Sequence, residues 1–410
     1  MGCAASAAKE NKKKKNIPQV TIFVPSIRVP AQSHLQTPLD GLVPNYLAHK
    51  MTSLRNQIMF VAQETGGSAI AQLQEALDQY LPFLLPLTRK EYRLQDLVEF
   101  KWKNLDGRQE TCVANSWYEL LSVLHMMALL TLMEANLKLI PKDTKSAETV
   151  VSSDCMKEAV DLLLKAAGYL DFCIRQVLAH LPPDIKNSLP EDLHEGVMEA
   201  ILNQALAQGT EIQLGLAVGS QNATLSVKRR LACEQLSYYG QAHYCLSGRI
   251  NSYGDGKKLL LFIKWKYLQA KAAAYYYHGL ILDKGTEPSC HVSAVCCFLA
   301  TEELVAESKK ACLCFCLADP VTRAPPPWGA MKHFEKKIPE TASKKFQMYG
   351  YLLDQDKGLQ VLPDLPEFQL SLKPDDYELP VVDPAWDSEK WDIPGLSIKE
   401  HLQDSEDGTK

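Results

Sequence analysis

Apolar residues recur at three- and four-residue spacings through most of this chain, the pattern of helices that bury one face. Leu73, Ala76, Leu77, Tyr80, Leu81 and Leu84 share one helical face, and Pro82 and Pro86 predict a kinked end to that helix. Segments near 115–140, 147–181, 190–217, 223–247, 256–283 and 291–318 repeat the pattern, with Pro182-Pro183, Gly254-Asp255-Gly256 and Glu287-Pro288 as breaks. Helices of about 25 residues joined by short turns predict stacked antiparallel hairpins. On one pair, Ala273, Ala274, Tyr277 and Gly279 precede Ala294, Phe298 and Leu304. Small and aromatic residues mixed in this way let two helices approach closely, as in tetratricopeptide solenoids, although no strict repeat runs through the chain.

Two short stretches break the helical pattern. Val20-Thr21-Ile22-Phe23-Val24, followed by Pro25, Pro30 and Pro38, predicts one strand and an extended loop, and Phe100-Lys101-Trp102 alternates like a second strand. The expected fold is therefore mainly α, elongated and solenoid-like, with a small antiparallel β element near the N-terminus. From Pro363 the composition changes: the final 48 residues hold 13 Asp or Glu, four Lys and six Pro, with aromatic islands at Phe368, Tyr377, Trp386 and Trp391. The aromatics predict that the first half of this stretch wraps the helical body. The acidic end from about Ile398 reads as disordered.

At 410 residues and 46% apolar content, the chain has the material for a sizeable core. A net charge of −5 puts no basic field over the body, so nucleic acid is not an expected partner. Lysines gather only at the N-terminus, where Lys9 and the run Lys12, Lys13, Lys14, Lys15 follow Met1-Gly2-Cys3-Ala4-Ala5-Ser6. That opening fits myristoylation of Gly2 after removal of Met1, with Cys3 placed for a palmitoyl group. One myristoyl chain binds a bilayer only marginally, so a second acyl chain or a polybasic patch is needed, and both are offered. Each Lys near an anionic leaflet contributes roughly 1 kcal/mol of attraction. The reading is a peripheral protein on the cytosolic face of an endosomal or plasma membrane. No run of about 18 uninterrupted apolar residues, as a membrane span needs, is seen. On that side of the membrane the 12 cysteines are expected as thiols, and the sequon Asn222-Ala223-Thr224 is expected to stay unglycosylated.

Catalytic chemistry is hard to find. The sequence holds no His-Glu-x-x-His, no phosphate loop and no glycine-rich dinucleotide fingerprint. Cys290-His291, Cys296-Cys297 and Cys312-x-Cys314-x-Cys316 come nearest to a metal pattern, but their apolar neighbours favour cysteine as a small buried side chain. No cofactor, metal or small-molecule substrate is expected, and the protein reads as a non-enzyme. Thr224 to Tyr239 is more informative. Val227 and Leu231 share a helical face, and Lys228, Arg229 and Arg230 place cations beside them. An apolar stripe flanked by basic residues suits an amphipathic partner helix with acidic edges.

The chain resembles the BRO-type domain family, to which ALIX and its yeast counterparts belong. The resemblance rests on Phe100-Lys101-Trp102, Ala232 through Tyr238-Tyr239, Ala274-Tyr275-Tyr276-Tyr277-His278-Gly279, and Ala294-Val295 with Phe298 and Leu304, in the family's order over about residues 17–390. It is closest in plan to short, lipid-anchored members, with a plant-type member the expectation. The resemblance implies a banana-shaped helical domain with a tetratricopeptide-like core, bounded by an acylated basic arm at 1–16 and an acidic tail at 391–410. It also implies a hydrophobic patch for the C-terminal helix of an ESCRT-III subunit, the Snf-type charged multivesicular body protein, with an adaptor role in endosomal sorting or membrane remodelling. Val227 and Leu231 fall at two patch positions, and the third falls on Leu214, or on Gln213 with a one-residue shift. The coiled-coil and proline-rich arms of long members and a C-terminal prenyl cysteine are not expected. A membrane-tethered helical scaffold for a different signalling partner remains the alternative.

Overall fold

The computed structural model describes residues 22–105, 107, 109–140, 151–247, 255–321, 332–355, 361–387 and 391. Gly2, Cys3, Lys9, Lys12 to Lys15, Val20, Thr21 and the acidic end from Ile398 lie outside them.

A helical hairpin opens the fold, with α1 at Asn45–Thr65 and α2 at Ile70–Leu84. Gly66 and Gly67 end α1 with left-handed φ values of 58° and 76°, and the Gly67 amide donates to the Ala62 carbonyl at 2.9 Å. The face read from the sequence is buried as expected, and α2 runs through Pro82 into a tighter turn at Leu85–Thr88. A three-stranded antiparallel sheet follows in the order β1 (Arg28–Pro30), β2 (Glu99–Asn104), β3 (Glu110–Ala114). Phe100 and Trp102 of β2 are buried while Lys101 and Lys103 are half-buried, in keeping with the alternation. The first strand lies later than predicted, since Ile22 to Val24 are not part of the sheet. Other partners satisfy that segment. The Ile22 amide donates to the Asn136 side chain at 3.2 Å, and Gln204 Nε2 donates to the Phe23 carbonyl at 2.7 Å. Arg28 supplies the anchor that holds the real strand, donating to the Trp102 carbonyl at 3.1 Å and to Thr111 Oγ1.

The long middle is helical: α3 (Ser116–Lys138), α4 (Ser153–Phe172), α5 (Glu195–Gly219), α6 (Leu225–Leu246), α7 (Asp255–Leu282) and α8 (Pro288–Leu317). Asn115 caps α3 by accepting from the amides of Trp117 and Tyr118 at 2.9 and 3.3 Å. Thr224, the sequon threonine, caps α6 by accepting from the Val227 amide at 3.3 Å. Helix α3 is the centre of the core, with every residue from Tyr118 to Leu132 buried. Beyond α8, a helix not among the segments read from the sequence, α9, spans Lys332–Gln355 and contains Pro339.

A charged knot ties these parts together. Arg55 Nε donates to Glu119 Oε1 at 2.8 Å, and both side chains are almost wholly buried. Glu119 also accepts from Tyr80 Oη at 3.1 Å and Trp102 Nε1 at 2.6 Å, while Arg55 Nη2 donates to the Lys101 carbonyl at 2.7 Å. One carboxylate thus joins α1, α2, α3 and β2. Burial, the largest single effect, pushes the Arg55 pKa down, but the charge and hydrogen bond of Glu119 together with Tyr80 and Tyr118 outweigh it, and the net shift is upward.

Candidate partner-binding face

Five helices build the end of the molecule that carries Val227 and Leu231. A second core cluster gathers Leu214 of α5, Ala232 and Cys233 of α6, Ala273, Ala274 and Tyr277 of α7, Ala294 and Phe298 of α8, and Ile338 and Ala342 of α9. Helices α7 and α8 meet where the sequence places small residues. A Cβ on Gly279 would lie 2.9 Å from Phe298 Cε1, so any larger residue would push the pair apart. Burial raises the Cys233 thiol to about 11 and the Cys297 thiol to about 12, as expected of small core side chains. Among the described residues, no group of three or more His, Cys, Asp or Glu is placed to hold a metal ion.

On this base the first two turns of α6 present a mixed apolar and basic surface. Val227 is 46% exposed, and Leu231, one turn on, is half-buried against the second cluster. Arg230 holds the edge of the face through Nε, 2.7 Å from Glu234 Oε1. Lys228 is half-buried beside Val227 and has no ion-pair partner among the described residues. Arg229 turns inward instead, donating to His278 Nδ1 at 3.3 Å with its guanidinium 5.9 Å from the Phe368 ring centre. Burial first, and Arg229 second, lower the His278 pKa, so this contact is made by a neutral imidazole. Leu214, expected at the surface patch, is only 4% exposed and belongs to the second cluster, so its side chain supports the face from beneath. Gln213, the shifted alternative, is half-buried.

The stretch that the aromatics predicted to wrap the helical body borders this face. Residues 361–387 run as an extended strap back across the helices. Leu365 and Phe368 pack on the second cluster, and Glu234 accepts from the Ser371 amide at 2.9 Å and from the Ser371 hydroxyl. Tyr238 Oη donates to the Leu372 carbonyl at 2.6 Å. Farther along, the Asp375 amide donates to the Leu164 carbonyl at 3.1 Å, and a Cβ on Gly168 would lie 2.4 Å from the Asp375 carbonyl oxygen. Tyr377 meets Tyr169 and Phe172 edge-on, and Trp386 is buried near Tyr92. Val227, Leu231, Glu234 and Tyr238 thus form one stripe of α6, since positions i, i+4, i+7 and i+11 share a face. The strap binds its second half and leaves Val227 open. The aromatics announced that the segment would pack on the body, and Glu234 fixes where on α6 it does so.

Comparison with known proteins places this geometry. Residues 45–340 match the BRO1-like domain family. None of the curated protein sequences matches the chain. ALIX in complex with the SIVmac239 PYKEVTEDL late domain is similar in fold, with a TM-score of 0.63 and 16% identity over 89% of this chain. The match spans only 50% of that longer ALIX chain. A Bro1 domain solved to explain endosomal targeting has a TM-score of 0.56 and 16% identity, covering 93% of this chain and 95% of the other. The complex of the ALIX BRO1 domain with CHMP4C has a TM-score of 0.59 and 16% identity, covering 93% and 100%. With the family match covering residues 45–340, most of the chain, the chain belongs to the BRO1-like domain family.

Proposed function

We propose that the protein is a membrane-anchored adaptor, without catalytic activity, that binds the C-terminal helix of a Snf-type ESCRT-III subunit on the first two turns of α6. The observation that carries this reading is the exposure of Val227 above Leu231, with Lys228 and Arg230 at its edges, in a fold shared with an ALIX BRO1 domain complexed with CHMP4C. An exposed β-branched residue at a capped helix start contributes little to folding. It offers apolar area to a partner helix whose acidic edge meets the cations. Acylation at Gly2 and Cys3 with the lysines at 9 and 12–15 would hold this face at a membrane, where weak binding to a membrane-bound polymer becomes effective through high local concentration.

Pull-down of C-terminal peptides from each ESCRT-III subunit tests the reading, with Val227→Asp as the control. Selective capture of a Snf-type helix, weakened about tenfold or more by Val227→Asp at unchanged thermal stability, is the expected result. Capture of none of them by the wild-type protein would refute the ESCRT-III assignment and favour a scaffold for a different signalling partner.

A further inference from the structure

We infer that Ser371 of the strap is a positioning residue for the partner face: acting through Glu234, it fixes the Arg230 guanidinium as a preset receptor for one carboxylate on the partner helix. The inference rests on the ESCRT-III reading above and adds to it the segment that orients its charged edge. The Ser371 amide donates to Glu234 Oε2 at 2.9 Å, and the Ser371 hydroxyl donates to the same oxygen. The other oxygen, Oε1, accepts from Arg230 Nε at 2.7 Å. The Glu234 side chain is wholly buried, whereas that of Arg230 is 52% exposed. A buried carboxylate is stable only where its lone pairs and its charge are met, and among the described residues Arg230 is the ion-pair partner of Glu234. Two donors on one oxygen and the guanidinium on the other leave this carboxylate a single orientation. A planar arginine bonded to it through Nε is held in turn.

Only Nε of Arg230 is engaged among the described residues, so both Nη groups are open to a ligand. Two adjacent N–H donors in one plane match the two oxygens of a carboxylate. Val227 lies three residues earlier on the same face, with the Cβ atoms about 5–6 Å apart. A helix that covers Val227 with an apolar side chain therefore meets Arg230 with an acid about one turn away. The neighbouring cation is sorted by the same segment. Arg229 is held inward between His278 and the Phe368 ring of the strap, and its Nε is buried without a hydrogen bond. The strap does not depend on Ser371 for its own place. It is anchored farther along by the Asp375 amide on the Leu164 carbonyl, by Tyr377 against Tyr169 and Phe172, and by the buried Trp386. Removing the hydroxyl therefore frees Glu234 and Arg230 rather than the strap, and a freed arginine must give up rotamer freedom when it binds.

The experiment is a double-mutant cycle in the full-length chain. Affinity for the C-terminal peptide of a Snf-type ESCRT-III subunit is measured by calorimetry at low and high salt. The expected result is binding about tenfold weaker in Arg230→Gln and about threefold weaker in Ser371→Ala, with no further loss from Ser371→Ala in the Arg230→Gln background. Ser371→Thr keeps the hydroxyl and should bind as the wild type does. The loss in Ser371→Ala should shrink at high salt, as a charge contact requires. Acids of the peptide are then changed to amides one at a time, and one of them should matter to the wild type and not to Arg230→Gln. Equal losses from Ser371→Ala in both backgrounds, or none in either, would overturn the positioning role. Failure of every peptide acid to couple to Arg230 would overturn the receptor. Capture of no peptide by the wild type would refute the ESCRT-III reading by itself. Nitrogen-15 exchange spectra of the Arg230 Nε–H then decide the positioning role: slow exchange in the wild type and fast exchange in Ser371→Ala uphold it, and equal rates overturn it.

Discussion

Among the described residues, α3 and α8 are both long and apolar enough to cross a membrane, and the fold treats them in opposite ways. The most apolar window of α3 is 78% buried, whereas that of α8 is 44% buried. Helix α3 lies under α1, α2, α4 and the sheet, so its apolar side chains serve the core on every side. Helix α8 has α7 on one side and α9 along part of another, and its last turns end with leucines in solvent. Apolar composition and length alone therefore do not decide destination. Neighbours on all sides make an apolar helix a core element, and neighbours on one side leave it a surface to use.

The sharpest break of that contrast is Glu119→Ala in α3, which leaves the Arg55 guanidinium buried without its counter-charge. A loss of about 3–5 kcal/mol is expected in urea unfolding. A stability close to wild type would show that the knot is solvated and that α3 is less enclosed than it looks. A matched pair of truncations sharpens the same point. Leu124→Ala, at a fully buried site in α3, is expected to lose about 2–5 kcal/mol, and Leu317→Ala in α8 to change stability by less than about 0.5 kcal/mol. Similar losses at both positions would mean that the end of α8 is packed in the native state. The smallest effect is a pH dependence. His125 of α3 is fully enclosed, and burial, only partly offset by Asp192 and reinforced by Arg28, lowers its pKa below the ordinary value of 6.5. The unfolded chain then binds more protons than the folded one just below that value. Its contribution to stability is complete above pH 6.5 and is lost as pH falls toward the lowered folded value. The unfolding midpoint should therefore drop as pH falls below 6.5, less steeply in His125→Gln. An equal slope in that variant would assign the effect to other groups, with His278 the first to test.

The parts that were legible in the sequence share a cause. The α2 face, the Phe100-Lys101-Trp102 alternation and the small residues of α7 and α8 are local patterns, in which each side chain's environment follows from the period of its own element. What was missed depends on distant segments. Arg55 in a helix reads as a solvated cation until Glu119 arrives from another element. Leu214 reads as a surface leucine as readily as a core one, and α7 to α9 decide the matter by covering it. The strap alternates half-buried Phe368, Leu370 and Leu372 with exposed Gln369, Ser371 and Lys373, but its path over the body is set by distant partners at Gly168 and Glu234.

By itself, the sequence determined the helical architecture, the short strand around Trp102 and the mixed apolar and basic start of α6. All of these follow from side-chain periodicity within one element. Only the tertiary structure decided which apolar helix is core and which keeps an open face, which of the cations at 228–230 turns inward, and where the strap stops short of Val227. Those outcomes are set by which surfaces remain once every element has found its neighbours, a property of the packed whole that no single segment carries.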